Sequence, residues 1–337
     1  MNMDMTESVR VYRPHLRAPR IVAIGGGHGL SAMLRGLKRY TKDITAIVTV
    51  ADDGGGSGML RDDLGMLPPG DIRSCILALA NTEPTMRELL EYRFTEGSLT
   101  GQSFGNLFLA AMNGISGSFD EAVQRMGDVL AITGKVLPVT NQDVRLEAEF
   151  DDGSTVLGES KIFYAKKLHD CRIRQVRLQP EGAKALPESL EAIADADLIV
   201  MGPGSLYTSI IPNFLVEGIT EAVQRSRAVK VYILNIMTQD GETDGYSAQD
   251  HLKALFAHTA PGLVDVCIAN NETVEEEFMA PYRKEGVEQI PADRAQIEAL
   301  GVRLRTFPLV EQGRYIRHDS DALARAILAV WQEFRKD

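Results

Sequence analysis

The sequence predicts an α/β fold: a Rossmann-like, mostly parallel sheet flanked by helices, with a small antiparallel β insertion. Three observations carry that expectation. The chain opens with a short apolar run, IVAI from Ile21, then a glycine turn, an amphipathic stretch LSAMLRGLKRY and a second apolar run ITAIVTV, the pattern of a βαβ unit. Runs this uniformly apolar belong to strands with both faces covered by helices. Comparable runs return late in the chain as DLIVM, KVYILNIM and VDVCIANN, so one sheet collects strands from both halves.

Between these halves the texture changes twice. Helical patterns cover 71–80, 84–94, 104–112 and 119–132, introduced by the capping-type residues Asp71, Thr82 and Ser118. From Val144 to Leu178 the segments VRLEAEF, STVLGES and RIRQVRL alternate around a DDGS turn, which predicts the antiparallel insertion, about 142–180, on one edge of the core. The α/β rhythm then resumes with ALPESLEAIADA as a helix, and closes with the strand VRLRTFPL and a helix over 319–334. No internal repeat or interdomain linker interrupts this order, so residues 20–337 read as a single domain.

The bulk properties exclude several function classes. With 337 residues, 44% hydrophobic and 25% charged, the chain can bury a sizeable core without staples. A formal net charge of -11 argues against a nucleic-acid binder, which needs an excess of Lys and Arg, yet permits a small anion held by backbone N–H groups and a few local cations. Cys75, Cys171 and Cys267 lie far apart without CxxC spacing, and the six histidines form no HxxxH or HExxH pair, so neither a disulfide framework nor a transition-metal motif is expected. Residues 1–19 carry acids and arginines with no apolar h-region and read as a flexible lead-in, not a secretion signal. No run approaches the roughly 18 apolar residues of a membrane span, so a cytoplasmic protein is expected.

The strand ends hold the chemistry. The turn GGGHGLS, Gly25 to Ser31, follows one strand and opens a helix, the context in which glycines let backbone approach a phosphate; Gly26, Gly27, His28, Gly29, Leu30 and Ser31 are the candidates there. It is neither a complete GxGxxG nor a Walker A, and a purely structural turn is the competing reading. Asp52 and Asp53 end the second strand. Two carboxylates there fit a Mg2+ site bridging to phosphates, a ribose contact, or a solvated turn with a capping Asp. Arg73, in the first turn of a predicted helix, adds a cation to the same edge or pairs with a surface acid.

A second glycine turn, with Gly202, Pro203, Gly204, Ser205, Thr208 and Ser209 as candidates, also follows an apolar strand. Parallel strands put their carboxyl ends on one edge, so both turns and the Asp pair should line one crevice. The loop after KVYILNIM adds Asn235, Thr238 and Tyr246, with Asp250 as a helix cap. Tyr282 and Arg317 offer an aromatic face and a cation for a base and diphosphate, against simple surface exposure.

Taken together, IVAIGGGHGLSAMLRGLK, ITAIVTVADDGGGSGMLR, PPGDIRSCILAL, GNLFLAAM, GKVLPVT, LIVMGPGSLYTSIIPNFL and YILNIMTQDGETDGYSAQDHL closely resemble the YvcK group of the CofD-like family, over nearly the whole chain from Arg20. The resemblance implies a gluconeogenesis factor needed for cell shape and wall integrity, binding a UDP-sugar such as UDP-N-acetylglucosamine, with a cell-wall synthesis or regulatory protein as partner and self-association open. It implies ligand contacts at Tyr282 and Arg317. The related CofD enzymes are 2-phospho-L-lactate transferases that use a divalent metal on an acidic pair matching Asp52 and Asp53, which makes a metal-dependent phosphoryl-group transferase the alternative. This chain departs from the family's pattern at His28, where members often have Thr, and at Gly56, where they have Ser. An NAD(P)-binding protein is the third reading, weakened by the imperfect glycine fingerprint.

Overall fold

The computed structural model describes residues 17–169, 171–311, 313 and 315–335, without the side chains of 163 and 166–169; the expected lead-in 1–19 lies outside it except for residues 17–19. The first half contains β1 (Ile21–Gly25), α1 (Gly27–Leu37), β2 (Ile44–Val48), α2 (Gly55–Leu64), α3 (Gly70–Leu79), α4 (Pro84–Glu91), α5 (Phe104–Gly114), α6 (Phe119–Val129) and β3 (Lys135–Pro138). The insertion follows as β4 (Arg145–Phe150), β5 (Thr155–Leu157), α7 (Glu159–His169) and β6 (Ile173–Gln179). The second half runs α8 (Pro187–Asp195), β7 (Leu198–Met201), α9 (Ile211–Phe214), α10 (Ile219–Arg225), β8 (Val229–Ile233), α11 (Ala248–His258), β9 (Val266–Asn270), α12 (Glu276–Arg283), α13 (Arg294–Glu298), β10 (Arg303–Phe307), the two-residue strands β11 (Val310–Glu311) and β12 (Arg317–His318), and α14 (Ser320–Phe334).

Seven strands form one parallel sheet in the order β10-β9-β8-β7-β1-β2-β3. Every residue of β1, β7 and β8 is buried, which is why these strands lack polar alternation. Helix α1 packs between α3 and α14 on one face through Leu30, Met33, Leu34 and Leu37. The three cysteines are buried.

The insertion is a three-stranded antiparallel sheet, β5-β4-β6. Its alternation is regular in β4, where Leu146, Ala148 and Phe150 face the core. Helix α7 inside it was not expected, because its apolar residues stand side by side at 162–165 and mark no single face. Two expected caps also move. Helix α4 starts at Pro84, whose fixed φ suits the first helical position, with Glu83 and not Thr82 before it. Asp71 lies inside the first turn of α3, not ahead of it. The residues after Asp52 and Asp53 run directly into α2, with Gly54 as its N-cap. Ser118 does cap α6, accepting from the Glu121 N–H.

Candidate functional site

Strand β1 lies between β2 and β7, and the chain winds outward in opposite directions from this central pair. Loops leaving the carboxyl ends of β1 and β7 therefore diverge and leave a crevice at the point where the strand order reverses. A cleft of about 440 Å3 opens there, lined by Gly26 to Gly29, Asp52, Asp71, Glu159, Pro203 to Ser205, Ser209, Asn235, Gln239 and Arg317. A larger hollow of about 730 Å3 lies at the opposite, amino-terminal edge, around Asp43, Thr45 and Lys135. The smaller cleft gathers both glycine turns at the carboxyl ends of the strands, which makes it the chemical candidate.

The two glycine turns interlock. A Cβ on Gly29 would stand 2.6 Å from the Pro203 carbonyl oxygen, and one on Gly26 would stand 2.5 Å from Asp71 Oδ2 and 2.7 Å from Thr49 Cγ2. Only glycine permits this approach. Gly26 caps α1 in extended conformation without a side-chain bond, so the first N–H groups of α1 are open to the cleft, apart from that of Gly27, which donates to Asp71. Asn235 fixes the opposing turn from both sides: its Nδ2 donates to the Gly204 carbonyl at 2.8 Å, and its Oδ1 accepts the Gly204 N–H at 3.2 Å. Ser205 Oγ donates to Gln239 Oε1 at 2.7 Å, tying the turn to the loop after β8.

Charge is graded across the cleft. Three carboxyl groups stand on its floor. Burial raises Asp52, opposed by bonds from the Gly54 N–H and Ser57; burial and the charge of Asp52 push Asp71 up to about 7; burial, Asp52 and Asp71 raise Glu159 well above the usual carboxylate range. At the mouth, His28 is held below its usual value by partial burial and then by the charges of Arg317, Arg73 and Arg35. His318, buried and donating from Nε2 to the Leu234 carbonyl at 3.2 Å, is pushed down to about 4. The arrangement offers backbone N–H groups and guanidinium for phosphate oxygens, and carboxyl oxygens for hydroxyls or a hydrated cation.

The Asp pair divides. Asp52 faces the cleft, whereas Asp53 Oδ1 accepts the Ser160 N–H at 2.8 Å and caps the start of α7. That bond anchors the insertion and delivers Glu159 to the cleft. Among the described residues no three His, Cys, Asp or Glu side chains converge as a metal-ligating group.

Other candidates lie around the cleft without lining it. Leu30 is core, and Ser31 Oγ donates to the His28 carbonyl at 3.0 Å, holding the turn from inside. Gly202 supplies the positive φ of 80° that starts the second turn, and Thr208 Oγ1 donates to Glu242 Oε1 at 3.1 Å. Thr238 exchanges two bonds with the Glu288 backbone, and the Tyr246 hydroxyl pairs with that of Tyr207 at 2.8 Å. Arg73 runs behind the floor against Gly105, with its Nε buried and unpartnered. Tyr282 accepts the Ile316 N–H at 2.9 Å, fixing the chain just before Arg317. Sequence reasoning missed Asp71, read only as a helix cap, together with Glu159 and Gln239; nothing local marks Glu159, because the anchored insertion brings it to the sheet edge.

The family model described as 2-phospho-L-lactate transferase CofD matches residues 21–310. A protein of Thermoanaerobacterium thermosulfurigenes is 54% identical over 94% of this chain and 98% of its own. The "Gluconeogenesis factor" of Bacillus subtilis is 47% identical over 94% of this chain and 99% of its own. A crystal structure of a UPF0052 family member from Bacillus halodurans superposes with a TM-score of 0.89 at 46% identity, covering 93% of this chain and 99% of that one.

Proposed function

The chain belongs to the CofD family, and from that membership we propose that it is a gluconeogenesis factor that binds a UDP-sugar in the sheet-edge cleft as a regulatory ligand. The observation that carries the reading is the pairing of two interlocked glycine turns with a carboxyl-lined floor in one cleft of about 440 Å3. The open N–H groups of α1 and the Arg317 guanidinium take the diphosphate. Carboxyl oxygens of Asp52, Asp71 and Glu159 accept from sugar hydroxyls, and the protonated fraction of Asp71 donates to a phosphate oxygen. A Mg2+ ion between Asp52 and the diphosphate would neutralise charge that the floor otherwise repels; Asp53, spent on the cap of α7, takes no part.

The cleft sits in a chain with no helix long and apolar enough to cross a membrane among the described residues, consistent with a cytoplasmic sensor that acts through a protein of cell-wall synthesis or its regulation. Calorimetry with UDP-N-acetylglucosamine, UDP and NAD, each with and without Mg2+, tests the proposal. Saturable binding of the uridine ligands, lost in a Gly29→Ala variant, is the expected result. No binding of either at millimolar concentration would sink it, and turnover of a phospholactate donor onto a deazaflavin acceptor would replace it with the transferase.

A further inference from the structure

Strand β6 ends the small sheet beside β4, and the outer N–H groups of such a strand need partners from elsewhere. Val176, buried in the middle of β6, finds its partner on α11: its N–H donates to His258 Nε2 at 3.0 Å. On the same ring, His258 Nδ1 donates to the Ala254 carbonyl, one helical turn earlier, at 2.8 Å. A carbonyl can only accept and a backbone N–H can only donate, so the two bonds admit one state of the imidazole, with the hydrogen on Nδ1 and Nε2 bare. Protonation at Nε2 sets one N–H against another, and the bond to β6 is lost.

That bond lies on a row that crosses the whole insertion. Val176 stands opposite Ala148 of β4, and Ala148 opposite Val156 of β5, three residues before Glu159. The row thus runs from α11 through three strands toward the carboxyl group on the cleft floor, and Asp53 holds its far end through the Ser160 N–H. His258 also packs on the second glycine turn, edge-on to the Tyr207 ring with centroids 5.8 Å apart, and Thr208, next in that turn, bonds Glu159. Few charges complicate the ring's titration. Burial and then the Tyr246 hydroxyl push Tyr207 up, so it stays a neutral neighbour. Arg174 and Arg177 of β6 are paired with Glu149, and Arg294 of α13 with Glu298. On α11 itself, Asp250 accepts from Ser247 and His251 Nδ1 donates to the Ser247 carbonyl, while α9 carries no titratable side chain. Burial lowers His258 from its ordinary 6.5, opposed by the bond to Ala254. With the folded value depressed, the stability this bond supplies is full above 6.5 and is lost as pH falls through the folded value.

We propose that His258 is a positioning residue for the cleft that works as a proton-sensitive latch: neutral, it clasps the insertion to α11 and keeps Glu159 at the floor; protonated, it lets the insertion loosen. The latch does not depend on which ligand fills the cleft, and its test needs none. Amide hydrogen exchange of the full chain is followed from about pH 7.5 to about pH 4.5, as protection factors from which the intrinsic effect of pH on exchange divides out. Peptides spanning β6 and the start of α7 should lose protection about 10-fold or more in the parent, while those of β1 keep theirs. His258→Gln retains an oxygen acceptor for the Val176 N–H and does not titrate; it should hold the parent's upper-range protection throughout. His258→Leu removes the acceptor and should be loosened equally at both ends of the range. An acid-driven loss absent from both variants supports the latch whatever their starting level. A loss that persists in either variant, or a parent that shows none, overturns it.

Discussion

Asp71, at the foot of the first glycine turn, has a carboxyl raised from 3.8 to about 7 by burial and then by the charge of Asp52, so the fold should respond to pH through it. Between those values the folded chain holds a proton that the unfolded chain has lost, so stability falls as pH rises through this window and levels off above it. Its contribution to the slope stays below the ~1.4 kcal/mol per pH unit of a fully shifted group. Asp71→Asn keeps an acceptor for the Gly27 N–H and removes the titration. Its melting temperature should match the parent's near pH 4 and exceed it at pH 8, read by thermal denaturation across that range. Arg317 is exposed, so Arg317→Ala should change stability by no more than ~0.5 kcal/mol while lowering UDP affinity about 10-fold or more, measured by calorimetry. Tyr282→Phe removes only the bond that fixes Ile316, and should cost less affinity than the loss of Arg317 itself.

At the scale of elements, the site depends on two turns held closer than any side chain allows. Gly29→Ala sets a Cβ 2.6 Å from the Pro203 carbonyl oxygen, and both atoms belong to backbone, so the turns must part. A loss of about 1–3 kcal/mol in chemical denaturation is expected, together with loss of ligand binding. The insertion is a second element with a role at the cleft. Its helix α7 is tied by Asp53 to the segment that enters α2, which sets Glu159 at the floor, where Thr208 also bonds it. Asp53 thus shows how two adjacent carboxylates part ways: Asp53 takes the Ser160 N–H, whereas Asp52 takes the Gly54 N–H and lines the cleft.

For the whole molecule, ligand and fold are coupled because the cleft joins loops from both halves of the sheet. A ligand at 100 times its dissociation constant stabilises the folded state by about 2.7 kcal/mol. For a chain of 337 residues this amounts to a rise of several degrees in melting temperature, about 3–8 °C for UDP-N-acetylglucosamine. If Mg2+ bridges Asp52 to the diphosphate, chelation by EDTA should shrink that rise without moving the melting point of the free protein. An equal rise with and without Mg2+ would remove the metal from the site.

Sequence by itself determined the parallel core, the antiparallel insertion and the two glycine turns, because each is written in local pattern: uninterrupted apolar runs, strict alternation, and glycines between a strand and a helix. The same logic placed both turns and Asp52 on one edge, since parallel strands share the direction of their carboxyl ends. Only the tertiary structure decided which residues of that edge face the cleft. Asp53, Thr208, Thr238 and Tyr246 look as polar and as well placed in sequence as Asp52 and Ser209, yet they spend their bonds on neighbouring backbone and side chains. Glu159 lies in a segment that sequence assigns to another sheet, and it reaches the cleft because the insertion folds back onto the strand ends. Long-range packing, which no local periodicity encodes, makes that selection.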